Sequence, residues 1–542
     1  MYPCVHAVFS ATAARTPLAD FLFTESVTAA TYGIATGAIS WGDTAAKVDQ
    51  LRNAYAKAGY GHGHRVGLLL ENRPEFFFHW FALNALGVSV VPINADMRNA
   101  ELVYLIEHSE IILAVSLPAR CEALQQAAAQ VGRNLPTIES HASGPFPLAS
   151  SPPPLAHQPI GTSTECGLLY TSGTTGRPKG CMLSNDYFLR AGQWYAQLQG
   201  VCSVRLDQER VITPLPLHHM NAMAFSTMVV LVAGGCLVQI DRFHPTTWLQ
   251  SARESGATIA HYLGVMPAML LSAPESAADR QHSIEWGFGA GVDRRNHAPF
   301  ETRFGFPLVE AWAMTETGAG ACVMASQEPR HVGTSCFGRQ EDFLDMRLVD
   351  EAGQDVADDS PGELLVRSRG DDPRRYFFSG YFKDEAATEA AWTHGWFHTG
   401  DLVRRDAQGN FYFIDRKKNV IRRSGENISA VEVESVLNQH PAVKTSAVAA
   451  TPDAVRGDEV LACIVLQDHV DQTAPKDLAA SIVAHCLAQL AYYKAPGYVA
   501  FVEALPLTAS QKIQRGQLRE WALELPTQKH CVDTRVLKKR QD

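Results

Sequence analysis

The sequence predicts an α/β protein built on parallel sheet, followed by a second and smaller α/β domain. Three observations predict it. Strand-like and helix-like apolar patterns alternate through the first third of the chain. A length of 542 residues exceeds what one hydrophobic core serves. A fresh α/β pattern begins beyond a basic, alternating stretch at 415–424.

Taken in order, residues 65–70 form a compact apolar run suited to a buried strand. Asn72 is placed as a helix N-cap, with Pro74 in the first turn, 76–86 as the helix body and Gly87 as its stop. Residues 88–93 are β-branched and apolar, as a buried strand should be. A helix at 101–109 and a strand at 111–115 follow. Between 134 and 164 the composition turns to Pro, Ser, Ala and Gly, which predicts a surface linker. The longest apolar run, 228–240, is broken by Gly234-Gly235. It is too short to span a bilayer and predicts a buried helix, turn and strand. Beyond Phe413, residues 431–438 have a helical pattern, and 445–450 and 460–466 are strand-like. The domain division is therefore set at 1–415 and 416–542, with no internal repeat.

Net charge is −10, from 47 Lys and Arg against 57 Asp and Glu, so no global basic field is available for nucleic acid. The basic cluster Lys538-Lys539-Arg540 reads as a solvated tail. None of the 11 cysteines falls in a CxxC pair, which disfavours disulfide scaffolds and zinc sites and suits a reducing cytosol. The first residues show no signal peptide, and no peroxisomal address ends the chain. A cytoplasmic location is expected.

The most informative segment is Tyr170-Thr-Ser-Gly-Thr-Thr-Gly-Arg-Pro-Lys-Gly180, directly after an apolar strand. Gly173 and Gly176 let the backbone bend so that its N–H groups converge. Thr171, Ser172, Thr174 and Thr175 add hydroxyl donors, and Lys179 adds a positive charge. A concave array of donors is what a polyphosphate needs. Pro178 precedes Lys179 and Gly180 follows, so this is not the phosphate loop of the common ATPases and GTPases.

This segment resembles the signature of the adenylate-forming superfamily of acyl-CoA synthetases, adenylation domains and firefly-type luciferases. Further motifs follow in that family's order, with a flavour nearest to carnitine/crotonobetaine-type and medium-chain acyl-CoA ligases at 422–429. The resemblance implies a large N-terminal domain of α/β subdomains with packed sheets plus a small β-barrel-like subdomain. It also implies a small mobile α+β C-terminal domain. ATP, Mg²⁺ and coenzyme A are implied as cofactors or co-substrates.

The resemblance assigns roles residue by residue. In the segment 310–318, Glu310, Ala311 and Trp312 would lie along adenine, Thr315 would contact phosphate and Glu316 would hold magnesium, as phosphate chemistry requires of a carboxylate there. Trp312 stands where the family usually has Tyr, and Ala313 where it usually has Gly. Gly289, Ala290 and Gly291 match the loop at adenine and the substrate carboxylate. Asp401 matches the acceptor for both ribose hydroxyls, and Arg416 the arginine beside it. Lys512 matches the adenylation lysine, a cation that would stabilise charge as the carboxylate meets the α-phosphate. His219, Met220, Phe288, Ala313 and Gly318 are placed at the acid pocket. No general base is needed there, because a carboxylic acid is already ionised at pH 7. Lys418 maps to the hinge, and Arg422, Gly425 and Glu426 to the face that would receive coenzyme A.

The implied function is ATP-dependent activation of a small carboxylic acid as acyl-AMP, then transfer to coenzyme A. Loading of a non-amino acid onto a carrier protein and a luciferase-like oxygenase share the ATP site and stay open here. A non-catalytic nucleotide binder is disfavoured by the joint presence of Lys179, Glu316, Asp401 and Lys512.

Overall fold

A computed structural model of the chain describes residues 2–171, 178–423, 426–453, 456–470, 474–507 and 512–538; the side chains at 418, 422, 426 and 427 also lie outside the description. The chain divides into two compact units, Met1–Met346 with Val366–Phe397, and Arg347–Leu365 with His398–Asp542.

Two sheets organise the first unit. One has seven strands in the order Gly380–Tyr381, Lys179–Ser184, Glu165–Thr171, Ser89–Pro92, Arg65–Leu69, Leu113–Ser116, Thr137–Glu139. Its middle strands pair in parallel, and their residues are almost all buried, as in a sheet covered on both faces. The predicted strand–helix alternation is present here: Arg65–Leu69, helix Pro74–Asn84, Ser89–Pro92, helix Asn99–Ser109, Leu113–Ser116. The expected linker carries one short strand, Thr137–Glu139, which pairs at the sheet edge beside Leu113–Ser116.

The other sheet has eight strands and runs Val323–Met324, Leu308–Trp312, Trp286–Ala290, Ile259–Leu263, Arg210–Thr213, Cys236–Gln239, Asp20–Thr24, Gly37–Ser40. Parallel pairing brings the C-terminal ends of Ile259–Leu263, Trp286–Ala290 and Leu308–Trp312 to one edge. Ligands of open α/β sheets bind beyond such strand ends. The apolar run at 228–240 folds as expected, into helix Met228–Ala233 and strand Cys236–Gln239. Ahead of it lies an unforeseen π-helix, Asn221–Thr227, a geometry that the sequence period does not announce.

Asn72 departs from its expected role. The helix is capped at Arg73, with Pro74 in its first turn and no side-chain cap. Asn72 instead donates from Nδ2 to the Ile240 carbonyl at 2.8 Å and accepts from the Leu217 N–H at 3.0 Å. An amide committed to two distant backbone groups is not available to cap its own helix.

In the second unit, the strand Trp396–Arg405, from His398 onward, pairs antiparallel with Asn410–Arg416. A six-stranded sheet follows, in the order Glu426–Ile428, Ile421–Arg423, Gly457–Leu466, Tyr498–Phe501, Cys531–Asp533, with Val443–Asp453 on the other side of Gly457–Leu466. Side chains alternate along Gly457–Leu466 as strand geometry demands. Val460, Ala462 and Ile464 join a core with helices Ala430–Leu437 and Pro475–Leu487. Leu461 and Cys463 join another with helix Arg515–Glu524.

One sequence expectation is overturned here. Lys538 is not part of a solvated tail: its side chain is buried against Glu459. The sequence disguises it because the carboxylate lies 79 residues away. Among the described residues, no helix is long and apolar enough to cross a membrane.

Asn72→Ala should leave the Leu217 N–H and Ile240 carbonyl unpaired inside the protein, at a cost of about 1–3 kcal/mol. A lowered thermal midpoint measured by calorimetry is expected; an unchanged midpoint would show that the brace contributes nothing.

Candidate active site

In the first unit, the strands Glu165–Thr171 and Lys179–Ser184 form a hairpin whose register sets Thr171 opposite Lys179. The loop predicted to cradle phosphate therefore starts and ends at one place. Ser172, Gly173, Thr174, Thr175 and Gly176 lie outside the described residues. The hairpin's flanks are tied down by two phenols: Tyr104 donates to the Pro178 carbonyl at 2.7 Å, and Tyr170 pairs with His108 at 2.7 Å.

The Lys179 ammonium stands 3.5 Å from Asp384 and 4.8 Å from the centre of the Tyr381 ring. The Tyr381 hydroxyl in turn donates to Glu316 Oε1 at 2.9 Å. Burial first, and then the Glu316 charge, push the Tyr381 pKa up, so the phenol keeps its proton and remains a donor. Tyr381 is thus flanked by the Lys179 cation and the Glu316 carboxylate. Its strand, Gly380–Tyr381, pairs with Lys179–Ser184, which is what delivers the ring there.

Around Glu316 the backbone is fixed by its neighbours. The Tyr187 hydroxyl donates to the Thr315 carbonyl at 2.9 Å, and the Phe378 N–H to the Glu316 carbonyl at 2.9 Å. Thr317 Oγ1 accepts from the Met314 N–H at 3.0 Å and closes the turn. Gly318, expected at the acid pocket, sits under the Tyr187 ring with φ +50°, where a Cβ would lie 2.3 Å from a ring carbon. Only glycine fits both constraints.

Gly289 and Ala290 end the strand Trp286–Ala290, and Gly291 follows. The buried Glu310 carboxylate accepts from the Gly291 N–H at 2.9 Å and the Val292 N–H at 2.8 Å. Burial raises its pKa, and the two amides oppose that rise. Glu310 therefore shapes the loop through its side chain. A Cβ on Gly264 would come within 1.7 Å of the Gly291 carbonyl oxygen, so Gly264 is what lets the two loops meet. Ala311 and Trp312 are buried, and the Trp312 ring packs 6.1 Å from Phe337.

On the side expected to hold the acid, His219 is exposed beside His218, while Met220 is buried and directly precedes the π-helix. Burial lowers the His218 pKa to about 4, so that ring is neutral near pH 7. Phe288 lies among Trp194, Tyr195, Phe225 and His261. His261 is fully buried and held by Tyr195 at one ring nitrogen and by Ser226 and Asn221 at the other. Burial lowers its pKa to about 3. A neutral imidazole thus braces the start of the π-helix. Ala313 is half-buried one residue beyond Trp312.

In the second unit, the hairpin register sets Asp401 opposite Arg416, and their side chains meet at 2.6 Å. Asp401 is buried, whereas the Arg416 side chain is 40% exposed. Lys417 bonds Glu363 at 2.7 Å and so turns away from that pair. Lys512 is exposed by area. Protein close to its ammonium, followed by the like charge of Arg416, lowers its pKa, and the Arg416 charge alone sets the same direction. Lys418 lies in a short 3₁₀ turn, Arg422 in the strand Ile421–Arg423 and Glu426 in Glu426–Ile428. Gly425 lies outside the described residues.

The chain matches the family described as AMP-binding enzyme over residues 10–382, and the AMP-binding enzyme C-terminal domain over residues 432–512. The chain belongs to the AMP-binding enzymes. It is 31% identical over 490 residues to the sulfoacetate–CoA ligase of Cupriavidus necator, covering 89% of this chain and 92% of that one. It is 28% identical over 487 residues to the crotonobetaine/carnitine–CoA ligase of Citrobacter koseri, covering 87% and 91%. In fold it is similar to ATP-bound MatB from Rhodopseudomonas palustris, with a TM-score of 0.79 and 24% identity over 96% of this chain and 99% of that one. A benzoate CoA ligase from Burkholderia xenovorans gives a TM-score of 0.79 at 21% identity, over 96% and 100%.

For an AMP-binding enzyme, sequence reasoning missed Tyr381, Asp384, Tyr187 and His261. The first two share the stretch Gly380-Tyr-Phe-Lys-Asp384, where Asp384 caps the following helix. Helix-cap spacing could have singled out Asp384. Nothing local could have linked Tyr381 to a carboxylate 65 residues earlier. Tyr381→Phe keeps the ring but removes a hydrogen bond to a charged group, worth about 1.5–3 kcal/mol. Use of Mg-ATP should weaken by roughly tenfold or more, read as a rise in KM for ATP in a pyrophosphate-release assay. An unchanged KM would detach Tyr381 from the nucleotide.

Proposed function

We propose that this AMP-binding enzyme is an ATP-dependent acid–CoA ligase. One carboxylate oxygen attacks the α-phosphorus of ATP, the bond to the β-phosphate breaks, and pyrophosphate leaves. A thiol sulfur then attacks the acyl carbon, the bond to AMP breaks, and a thioester forms while the thiol proton passes to solvent. The observation that carries the reading is the Lys179–Tyr381–Glu316 arrangement at the closure of a donor-rich hairpin. It joins a cation for phosphate oxygens to a carboxylate for the metal that accompanies them.

In this reading Thr171, Ser172, Gly173, Thr174, Thr175, Gly176 and Lys179 bind the β- and γ-phosphates, and Thr315 assists. Gly289, Ala290, Gly291, Glu310, Ala311 and Trp312 line adenine, and Asp401 with Arg416 holds the ribose. Lys512 neutralises the meeting of two anions. Among the described residues there is no group of three or more His, Cys, Asp or Glu that could hold a metal. A single buried carboxylate at Glu316 fits Mg²⁺ that arrives with ATP, whose phosphates supply other oxygens. Bound there, Mg²⁺ would draw charge from the leaving pyrophosphate.

The two steps need different groups at the acyl carbon. We place the movable part at 416–542, with Lys418 as hinge and Arg422, Gly425 and Glu426 on the face that meets coenzyme A. Small polar acids head the candidate substrates, because relatives act on sulfoacetate and on crotonobetaine or carnitine. Supply of ATP and coenzyme A suits a cytoplasmic location.

The test is pyrophosphate release over a carboxylic acid panel including sulfoacetate, crotonobetaine, malonate and benzoate, with AMP release measured with and without coenzyme A. Pyrophosphate release without any coenzyme A-dependent product would remove the ligase reading. Lys512→Ala should abolish acyl-adenylate formation yet leave thioester synthesis from supplied acyl adenylate largely intact; equal loss of both steps counts against domain rotation.

Because the Lys512 pKa is lowered, its ammonium is lost at a pH below that of an ordinary lysine. Acyl-adenylate formation should therefore fall on the alkaline side with that group, while the thioester step does not follow it. Coincident alkaline limbs for the two steps would contradict the role given to Lys512.

A further inference from the structure

The strands Ile421–Arg423 and Glu426–Ile428 have three residues each. They pair as Ile421 with Ile428, Arg422 with Asn427 and Arg423 with Glu426. Towards the main sheet, the register records a single partner pair, Arg423 opposite Gly457. A two-stranded ribbon this short has little stability of its own, so its position is set by what anchors it.

The anchor is a buried ionic cluster. Arg423 Nε bonds Glu459 Oε2 at 2.9 Å, and Lys538 Nζ bonds Glu459 Oε1 at 2.5 Å. Side-chain exposure is 6% for Arg423, 0% for Glu459 and 1% for Lys538. The Val460 N–H also reaches Oε1 at 2.9 Å, and Lys538 donates to the Tyr493 carbonyl at 3.2 Å. Gly497 makes room for the carboxylate, since a Cβ there would lie 2.4 Å from it. The segment bearing Lys538 is itself tied to that glycine, through the Thr534 N–H and the Gly497 carbonyl at 2.9 Å. Both Glu459 oxygens and the Lys538 ammonium are thus committed, and the cluster links the last described residue of the chain to the ribbon.

A separate pair holds Arg515, the first residue of the helix Arg515–Glu524 that follows Lys512. Arg515 meets the buried Glu434 at 2.7 Å and also donates to the Val448 carbonyl at 2.8 Å. No residue is shared between the two clusters, so disturbing one leaves the other's contacts in place.

We infer that Lys538 is a positioning residue for the thioester-forming step: through Glu459 and Arg423 it fixes the strands Ile421–Arg423 and Glu426–Ile428 on the coenzyme A side of the reaction. This rests on the ligase reading above, which places Arg422, Gly425 and Glu426 at that face. Without Lys538, Glu459 Oε1 keeps only the N–H of Val460, and its carboxylate is free to turn. Arg423 keeps its bond to Oε2, but to a carboxylate whose orientation is no longer fixed, and the ribbon drifts. A misplacement of about 1 Å at a reacting group costs orders of magnitude in rate.

The experiment separates the half-reactions in the full-length enzyme, using the acid that gives the fastest pyrophosphate release in the panel. Lys538→Met keeps the stem and leaves a balanced Arg423–Glu459 pair, so folding is expected. Acyl-adenylate formation should stay within about twofold of the parent, whereas thioester formation from supplied acyl adenylate should fall roughly tenfold with a raised KM for coenzyme A. Lys538→Arg should restore most of that loss. Arg515→Met serves as the converse and should impair adenylate formation more than thioester formation. Equal loss of both steps in Lys538→Met, or no loss in either, overturns the proposal. If Lys538→Met does not fold, Lys538→Gln decides: it must show the same selective thioester defect, and parental rates in both steps, or equal loss of both, overturn the proposal. Failure of the underlying reading looks different, since the parent enzyme would then form no coenzyme A thioester from any acid.

Discussion

A phenol that touches both a cation and a carboxylate ties the hairpin strand that bears Lys179 to the turn that bears Glu316. The Tyr381 ring turns its face to the Lys179 ammonium and its hydroxyl to the Glu316 carboxylate, while Lys179 also stands 3.5 Å from Asp384. The hairpin register, the turn at Met314–Thr317 and the strand Gly380–Tyr381 all serve to hold those three side chains in that order.

The chemistry was more legible in the sequence than the scaffolding that supports it. Lys179, Glu316, Asp401 and Lys512 stand in motifs whose residue order resembles that of the family the chain belongs to. The alternation of apolar runs likewise gave the strands and helices of the first sheet to within a residue or two. What stayed hidden were contacts made across long chain separations. Tyr381 reaches Glu316, Asn72 reaches Leu217 and Ile240, and His261 reaches Asn221. A tyrosine, an asparagine or a histidine in an apolar neighbourhood looks the same whether it braces a loop or only fills space.

Burial of charge was the least legible feature. Lys538 stands in a run of basic residues, which predicts solvent, yet its ammonium faces Glu459 inside the second unit. The Glu310 carboxylate is likewise buried and holds the backbone of the Gly291 loop, a contact its motif does not announce. In both cases a carboxylate finds its donors in a segment that sequence reading treats separately. Ion partners of this kind are fixed by topology, and topology is what a single chain read linearly conceals.

The strand Gly457–Leu466 supports hydrophobic clusters on both of its faces, drawing odd-numbered side chains to one and even-numbered to the other. Inserting or deleting a single residue within it would exchange the two sets at once, emptying both interiors and turning Glu459 away from its partners. That segment can therefore diverge by substitution but hardly by a change of length, and any shortening or lengthening among natural variants should fall in the turns on either side of it.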